Sequence, residues 1–311
     1  MRSGGRYAYL FCLGLEILLS TVCLGQNAAV IQAIRGNKNH LFVPMSINGQ
    51  KEFWWLVDTG SPLSMITRQA AMAGALKEPE AGSKIPNTVK AEGQELKVVM
   101  ASSLVSQGFD FGKQPLPILR LDELTREHIP GATASSPGRG ILGFMLLAKY
   151  GTLINCRTRQ LFLSRTGQHL PVTRQAYEQM GFTYVPLDIT RGGHIEVVGT
   201  IGNETYSFLI DTGAENTLIV AAIRQKEKIP FTDERLSLVG IHDFKKAPIS
   251  GGTLPNFRVG NYVLNKTFVG FASLNLQPGE FSHSFGGLIG AEILFDHSAI
   301  IDLGNRALYL R

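Results

Sequence analysis

The sequence predicts an all-β protein in which two similar barrels follow one another and are related by a pseudo-twofold axis. Three observations predict this fold. The length of 311 residues exceeds what one hydrophobic core usually organises. One pattern of motifs occurs twice in the same order, and short β-branched runs alternate with turn residues, among 34 Gly and 14 Pro. The 44% hydrophobic content excludes a disordered chain.

The internal repeat is the most informative of these observations. Residues 53–60 read Phe-Trp-Trp-Leu-Val-Asp-Thr-Gly, and residues 206–213 read Tyr-Ser-Phe-Leu-Ile-Asp-Thr-Gly. Ile-Leu-Gly at 141–143 recurs as Leu-Ile-Gly at 288–290, and the same offset of 147 continues to the end of the chain. An ordered set of matches indicates two copies of one unit. The predicted organisation is a first lobe over 38–165, a linker over 166–181 and a second lobe over 182–311.

Each copy carries two strand patterns before its Asp. The segments Leu41–Ile47 and Ile195–Ile201 are short, β-branched and bounded by Gly or Asn. Residues 53–57 and 206–210 are continuous apolar runs, which is typical of strands buried on both faces. Helical patterns are confined to four segments: Met65–Leu76, Phe144–Tyr150, Ala221–Lys228 and Ala291–His297.

Residues 1–25 are predicted to be a signal peptide. Two arginines precede a largely apolar run over residues 7–19, and a small-residue end follows it. Glu16 interrupts the apolar run, so an uncleaved anchor formed by residues 7–24 is the alternative. We therefore expect an exported protein, periplasmic or secreted, that contacts a membrane only if this segment is retained.

The net charge and the Cys and His content limit which partners, cross-links and metals are expected. The net charge is +5, from 30 basic and 25 acidic residues, and no run of five or six Lys or Arg occurs. Nucleic acid is therefore not expected as a partner. Once the signal peptide is removed only Cys156 remains, so we expect a buried free thiol and no intramolecular disulfide. The seven His lack metal-ligand spacing, so no metal is expected.

Residues 138–143 read Gly-Arg-Gly-Ile-Leu-Gly and fit the dinucleotide-binding pattern G-x-G-x-x-G. No strand pattern precedes them and no acidic residue follows at about twenty positions, as that pattern requires. We interpret the glycines as a loop that enters the repeated Ile-Leu-Gly strand, and we expect no cofactor. Trp54 and Trp55, just before the first Asp, are interpreted as core residues.

The chemistry is predicted from the two Asp-Thr-Gly sequences. One such tripeptide alone is typical of a tight turn in which the Asp accepts backbone N–H groups. Because a pseudo-twofold axis places equivalent residues opposite one another, Asp58 and Asp211 are expected to share one site. Two carboxylates a few ångströms apart do not both ionise easily, so they share a proton. Such a pair can hydrolyse a peptide bond: the ionised Asp activates water and the protonated Asp polarises the carbonyl.

The residues that follow each Asp complete this prediction. The hydroxyls of Thr59 and Thr212 are expected to hold the two turns together, while Gly60 and Gly213 leave room for water. With these motifs the sequence resembles the aspartic proteases, and among them the retropepsin-like kind. The resemblance covers nearly all of residues 38–311. It implies a two-lobed acid-protease fold of tandem retropepsin-like β-barrels, with the active site between the lobes. It also implies an aspartic endopeptidase that acts on protein or peptide substrates, as a monomer because both Asp lie in one chain.

The resemblance also implies roles for the surrounding residues. The motifs that end at Gly143 and Gly290 would pack beneath the catalytic turns and support them. Glu215 and Asn216 stand where the retroviral form contacts the substrate backbone. The positions directly after each Asp-Thr-Gly are assigned to the substrate side as well, and they are occupied by Ser61 and Ala214.

Of these two positions, Ser61 resembles the amino-terminal lobe of a pepsin, and its hydroxyl is expected to donate a hydrogen bond into the Asp pair. The flaps would be residues 85–98 and 238–252, and the first lacks the Tyr that is usual in pepsin-like enzymes. The alternative function is a non-catalytic, peptide-binding pseudo-protease of the same fold. Both copies keep Asp, Thr and Gly, which favours the enzyme.

Overall fold

The structure is a computed structural model that describes residues 27–91, 94–120, 129–130, 138–168, 170–171, 173–230, 232–239, 246–274 and 279–311. The predicted signal peptide lies outside these residues. Within the part of the chain that is described, no helix has the length and apolar character needed to cross a membrane.

Strands dominate both halves of the chain. The first half contains β1 (Ala28–Gln32), β2 (Ile34–Arg35), β3 (Leu41–Ile47), β4 (Phe53–Asp58), β5 (Met65–Thr67), α1 (Arg68–Ala73), β6 (Thr88–Ala91), β7 (Gln94–Ala101), β8 (Leu104–Ser106), β9 (Phe109–Asp110), β10 (Gln114–Leu119), β11 (Gly138–Gly143), α2 (Phe144–Lys149), β12 (Leu153–Asn155) and β13 (Gln160–Ser164). The second half contains α3 (Arg174–Gln179), β14 (Thr183–Pro186), β15 (Asp188–Ile189), β16 (Ile195–Ile201), β17 (Glu204–Ile210), β18 (Leu218–Val220), α4 (Ala221–Lys226), β19 (Thr232–Val239), β20 (Lys246–Val259), β21 (Tyr262–Ala272), β22 (Phe285–Ile289), α5 (Ala291–Asp296), β23 (Ile300–Asp302) and β24 (Ala307–Leu310). The all-β prediction is confirmed.

Each lobe is organised around one sheet. The first sheet has the order β6-β7-β10-β5-β11-β4-β3-β8-β9, with β2 beside β3. The second has the order β15-β16-β17-β22-β18-β21-β20-β19, and an additional pairing of β16 with β20 closes it on itself. In both sheets the strand that ends at the Asp is central: β4 lies between β3 and β11, and β17 lies between β16 and β22.

A third sheet joins the lobes. Its order is β1-β13-β12-β23-β24-β14, so each half of the chain contributes three strands. At its centre β12 and β23 are antiparallel, with Ile154 directly opposite Ile301. These two residues are equivalent in the repeat, so the pseudo-twofold axis passes between them. The strand β1 begins ten residues before the predicted start of the first lobe and forms one edge of this sheet.

Burial explains why the two central strands are apolar on both faces. Trp55 and Val57 of β4 are fully buried, as are Phe208 and Ile210 of β17. A strand covered on both sides by other layers has no polar face, which accounts for the continuous apolar runs. Trp54 is half-buried and packs against a small apolar cluster, so both tryptophans contribute to packing as predicted.

The predicted helix over 65–76 is partly wrong. Its first three residues, Met65–Thr67, form β5, which pairs with β10 and β11. The helix α1 begins only at Arg68, where the Thr67 hydroxyl accepts the backbone N–H of Ala70 and caps it. The pattern misled because three buried residues in a row fit a short covered strand as well as a helix. The other three predicted helices are confirmed and each ends one or two residues early.

Two further segments differ from their predicted forms. Residues 138–143 are strand β11 rather than a loop, and they pair in parallel with β4. Gly140 is required there because a Cβ at this position would overlap the indole ring of Trp55. The predicted linker contains the helix α3, capped by the Thr173 hydroxyl, which sequence patterns did not reveal. Cys156 is buried and free, as predicted, and burial raises its pKa to about 12.

Candidate active site

The two Asp-Thr-Gly loops, residues 58–60 and 211–213, face each other at the lobe interface. Asp58 is the last residue of β4, and Asp211 directly follows β17. A Cβ built on Gly60 would lie 2.5 Å from both carboxylate oxygens of Asp211. A Cβ built on Gly213 would lie 2.6 and 2.7 Å from those of Asp58. Each glycine therefore lies directly against the carboxyl group of the opposite lobe, and any side chain there would displace it.

The threonines hold the two loops together, as expected. The Thr59 hydroxyl donates to the carbonyl of Ile210 at 2.7 Å and accepts the Thr212 N–H at 3.1 Å. The Thr212 hydroxyl donates to the carbonyl of Val57 at 2.8 Å and accepts the Thr59 N–H at 3.1 Å. All four hydrogen bonds cross between the lobes, and both threonines are buried. They fix the distance and orientation of the strands that carry the Asp residues.

The carboxyl groups are surrounded by backbone donors in a buried site. Asp58, only 3% exposed, accepts the N–H groups of Gly60 at 2.9 Å and Ser61 at 3.0 Å through Oδ1. Asp211 accepts the N–H of Gly213 at 2.9 Å through its own Oδ1. The first carboxyl is thus fixed by two amides of its own loop.

Burial and the neighbouring charge set the protonation of this pair. Burial raises the pKa of Asp58 well above its ordinary value of 3.8, and the nearby Asp211 raises that pKa further. Burial also raises the pKa of Asp211, but the Gly213 amide and the proximity of His40 oppose that shift. Burial therefore raises the pKa of both carboxyls, and the close pair is expected to share a single proton.

The Ile-Leu-Gly motifs lie beneath the loops. The Gly143 N–H donates to the Ser64 hydroxyl at 3.0 Å, and the Gly290 N–H donates to the Thr217 hydroxyl at 2.9 Å. A Cβ on either glycine would overlap the main chain just after the Asp-Thr-Gly loop of its own lobe, at Leu63 for Gly143 and at Asn216 for Gly290. This is the packing that the resemblance implies for these motifs.

The supporting roles of Ser64 and Thr217 were not identified from the sequence. The signal was available, since a hydroxyl residue stands six positions after each Asp. Because Ser and Thr are common in loops, one such spacing carries little weight, and only its occurrence in both copies makes it informative.

The expectation for Ser61 is wrong as regards its hydroxyl. That hydroxyl donates to the Leu63 carbonyl at 2.9 Å, and only the backbone N–H of Ser61 reaches Asp58. The backbone N–H of Ala214 likewise acts to lower the pKa of Asp211. The residue after each Asp-Thr-Gly therefore acts on its carboxyl through the main chain, which Ser and Ala share.

Glu215 and Asn216, predicted to contact substrate, follow the second loop. The Glu215 carboxylate lies 3.1 Å from the ammonium of Lys38 in the first lobe, so this side chain forms an ion pair between the lobes. The main chain of Asn216 lies against Gly290. Both residues border the Asp pair, and their contact with substrate stays a prediction.

The flap segments are hairpins in the structure. β6 and β7 pair antiparallel from Thr88–Lys97 to Ala91–Gln94, within the predicted first flap. β19 and β20 pair antiparallel up to Val239 and Lys246. The tips, residues 92–93 and 240–245, lie outside the described residues.

Two lobes of one topology, meeting at a buried pair of Asp-Thr-Gly loops, define the class of protein to which the chain belongs. The family model described as aspartyl protease matches residues 43–146 and 197–293, once in each lobe. The chain belongs to the aspartyl protease family. The crystal structure of the aspartic proteinase from Irpex lacteus is similar over 91% of this chain and 96% of that chain, with a TM-score of 0.48 and 14% sequence identity. No curated protein matches the sequence significantly.

Proposed function

We propose that the protein is an exported aspartic endopeptidase in which Asp58 and Asp211 hydrolyse peptide bonds with one shared proton. The observation that carries this proposal is the reciprocal packing of the Asp-Thr-Gly loops. Gly60 and Gly213 each lie against the carboxyl of the opposite lobe, so the two carboxyls occupy one buried site with no side chain between them.

The shared proton gives the two carboxyls complementary roles, with Asp211 taken as the ionised one. Asp211 takes a proton from a water molecule as the oxygen attacks the carbonyl carbon of the substrate. Asp58 gives its proton to the carbonyl oxygen, which forms a neutral gem-diol. The gem-diol collapses when Asp211 protonates the amide nitrogen, the C–N bond breaks and a hydroxyl proton returns to Asp58. Water is consumed, an acid and an amine are released, and the pair recovers its initial state.

Three features support a self-contained, exported enzyme. Both carboxyls belong to one chain, so no second copy is needed to complete the site, and we expect a monomer. Glu215, four residues after Asp211, is paired with Lys38, which is compatible with an uncharged peptide backbone as the substrate. The apolar N-terminal segment supports export. N-terminal sequencing of protein recovered from membrane, soluble and extracellular fractions would show whether that segment is removed.

The test of activity is cleavage of a peptide library between pH 3 and pH 8, with products located by mass spectrometry. Wild type is compared with Asp58→Asn, Asp211→Asn and, as a matched control, Asp188→Asn, which changes an exposed aspartate of β15. Cleavage by wild type and the control but by neither dyad variant is the expected result. Binding of peptides without cleavage by all four proteins would instead identify a peptide-binding pseudo-protease. Cleavage that survives in either dyad variant would refute the shared-proton mechanism.

A further inference from the structure

In each lobe a short turn ends in a histidine. His40 directly precedes β3, and His194 directly precedes β16. The Gly36 N–H donates to the His40 carbonyl, and the Thr190 N–H donates to the His194 carbonyl, both at 2.9 Å. The two histidines are therefore equivalent, and they lie 154 positions apart in the sequence. The two Asp residues lie 153 positions apart, because the register of the strands leaves one more residue in the β3–β4 loop than in the β16–β17 loop. A comparison at one constant offset misses this pair.

His194 crosses from the second lobe to the first Asp-Thr-Gly loop. Its Nδ1 lies 3.0 Å from the carbonyl oxygen of Gly60. A carbonyl oxygen can only accept, so Nδ1 is the donor. Gly60 is also the residue that lies against the carboxyl of Asp211. The imidazole thus holds the backbone at the point where the first loop touches the opposite half of the dyad.

The other ring nitrogen faces a carboxylate. Nε2 lies 3.7 Å from Oε1 of Glu280, and the two side chains are only 17% and 13% exposed. The same Oε1 accepts a hydrogen bond from the Thr190 hydroxyl at 3.3 Å, and that hydroxyl accepts one from the backbone N–H of His194 at 3.1 Å. A Cβ at Gly192 would overlap Glu280, so this turn leaves room for the carboxylate beside the ring. Both ring nitrogens therefore face acceptors.

We propose that His194 is a positioning residue that clamps the first Asp-Thr-Gly loop from the opposite lobe, with Glu280 holding the imidazole from its other side. The Nδ1–H group donates to the Gly60 carbonyl, and the Glu280 carboxylate beside Nε2 limits rotation of the ring. The inference rests on the proposed function for its kinetic consequence only.

The charges around this clamp come from three segments. Glu280 lies on the segment before β22, Arg191 is exposed on the same turn as His194, and Asp211 lies on the far side of Gly60. The equivalent His40 has a different role, since its proximity acts on the pKa of Asp211. The two equivalent histidines thus neighbour different loops, His194 that of Asp58 and His40 that of Asp211.

The kinetic test compares His194→Leu with His194→Asn in the full chain. An Asn amide nitrogen stands near the place of Nδ1 and can donate to Gly60, but it carries no charge, whereas Leu can do neither. At pH 5 we expect Leu to lower kcat about 10- to 100-fold with KM little changed, as a misplaced catalytic group does, and Asn to restore most of it.

A second measurement needs no activity. Hydrogen exchange of residues 59–63, followed by mass spectrometry, should be faster in His194→Leu than in wild type and near wild type in His194→Asn. The matched control is His297→Leu, which removes an equivalent ring nitrogen 2.8 Å from the Tyr262 hydroxyl in the same lobe. It should leave exchange at 59–63 unchanged.

The outcomes separate the two proposals. If wild type cleaves no peptide, the proposed function fails, and the exchange data alone decide whether His194 holds the loop. If wild type cleaves but His194→Leu matches it in kcat and in exchange, the clamp is refuted. If the Leu variant does not fold, His194→Ala replaces it: exchange at residues 59–63 should again be faster than in wild type and in His194→Asn, and exchange equal to wild type in His194→Ala would overturn the proposal.

Discussion

The two Asp-Thr-Gly loops have the same backbone and different surroundings. In both, a threonine hydroxyl crosses to the other lobe, and a glycine lies against the opposite carboxyl. The side chains around them differ. His40 lies near Asp211 and opposes the rise in its pKa, whereas His194 contacts the Gly60 carbonyl in the loop of Asp58. Duplication has therefore kept the main chain that brings two carboxyls together. The side chains beside the two carboxyls have diverged.

The residues beneath the two loops also differ. Under the second loop, the Glu292 carboxylate accepts the N–H of Thr217, and burial raises the pKa of this carboxyl. Its equivalent in the first lobe is Met145, which is 57% exposed. The second loop thus carries an additional titratable support that the first loop lacks. Support of the two loops should respond differently to pH, even though their hydroxyl contacts to Gly143 and Gly290 match.

Removing either carboxyl should have the largest effect. Asp58→Asn and Asp211→Asn are each expected to lower kcat/KM by about 10³-fold or more, because acid and base catalysis need both groups. Initial rates on a cleaved peptide measure this. If one variant lost far less activity than the other, the two carboxyls would not act as a pair.

The same substitution tests the raised pKa of the pair by stability. A carboxyl whose pKa is raised by folding stabilises the protein below its ordinary pKa, and this contribution is lost as pH rises through the raised value. Asn does not titrate, so the difference in Tm between Asp58→Asn and wild type should increase from about pH 4 upward. Thermal unfolding from pH 4 to pH 8 checks this, and a difference in Tm that stays constant would contradict the raised pKa.

Filling the glycine positions should have the next largest effect. Gly60→Ala and Gly213→Ala each place a methyl group onto the opposite carboxyl, so we expect kcat to fall about 100-fold. Gly74→Ala is the control, because a Cβ there meets only contacts of 3.3 Å or longer. Equal activity of Gly60→Ala and wild type would show that the loops separate further than the structure indicates.

Replacing the crossing hydroxyls should affect stability more than chemistry. Thr59→Val leaves the Thr212 N–H and the Ile210 carbonyl without partners, at a cost of about 1–3 kcal/mol for each group. Thr59→Ser keeps the hydroxyl and should recover most of that loss. Urea unfolding of both variants, and of the corresponding pair at Thr212, gives the comparison. Markedly unequal losses at the two threonines would mean that the lobes do not share the contact equally.

The smallest effect is expected at the residue after each Asp-Thr-Gly. Since Ser61 reaches Asp58 through its amide, Ser61→Ala should move the acidic limb of the kcat/KM profile by less than about 0.3 pH unit. Ala214→Ser should also move this limb by less than about 0.3 pH unit. A shift of a full unit in either variant would place the serine hydroxyl on the dyad after all.

Much of the fold could be predicted because the repeat and the buried strands leave direct traces in the sequence. The bounds of β3 and β16 matched the predicted segments, since alternation and turn residues mark short strands well. The strand β5 and the helix α3 could not be recognised, because three buried residues and six mixed ones give no clear period.

The placement of Asp58 and Asp211 in one site could be predicted from the duplicated motif, and the glycine contacts agree with that placement, while their catalytic role stays a prediction. The contact expected of the Ser61 hydroxyl could not be predicted, because a hydroxyl rotates to a nearby carbonyl that the sequence does not disclose. His194 was missed because its partner is a backbone carbonyl of the other lobe.

The central pairing of β12 with β23 has a consequence for assembly. Ile154 lies opposite Ile301 on the pseudo-twofold axis, so a single lobe would meet a copy of itself through an isologous interface. In the joined chain the same contact is intramolecular and forms at a high effective concentration that dilution does not change. Specific activity should therefore be constant at any enzyme concentration, and each side of the cleft is free to acquire its own substitutions.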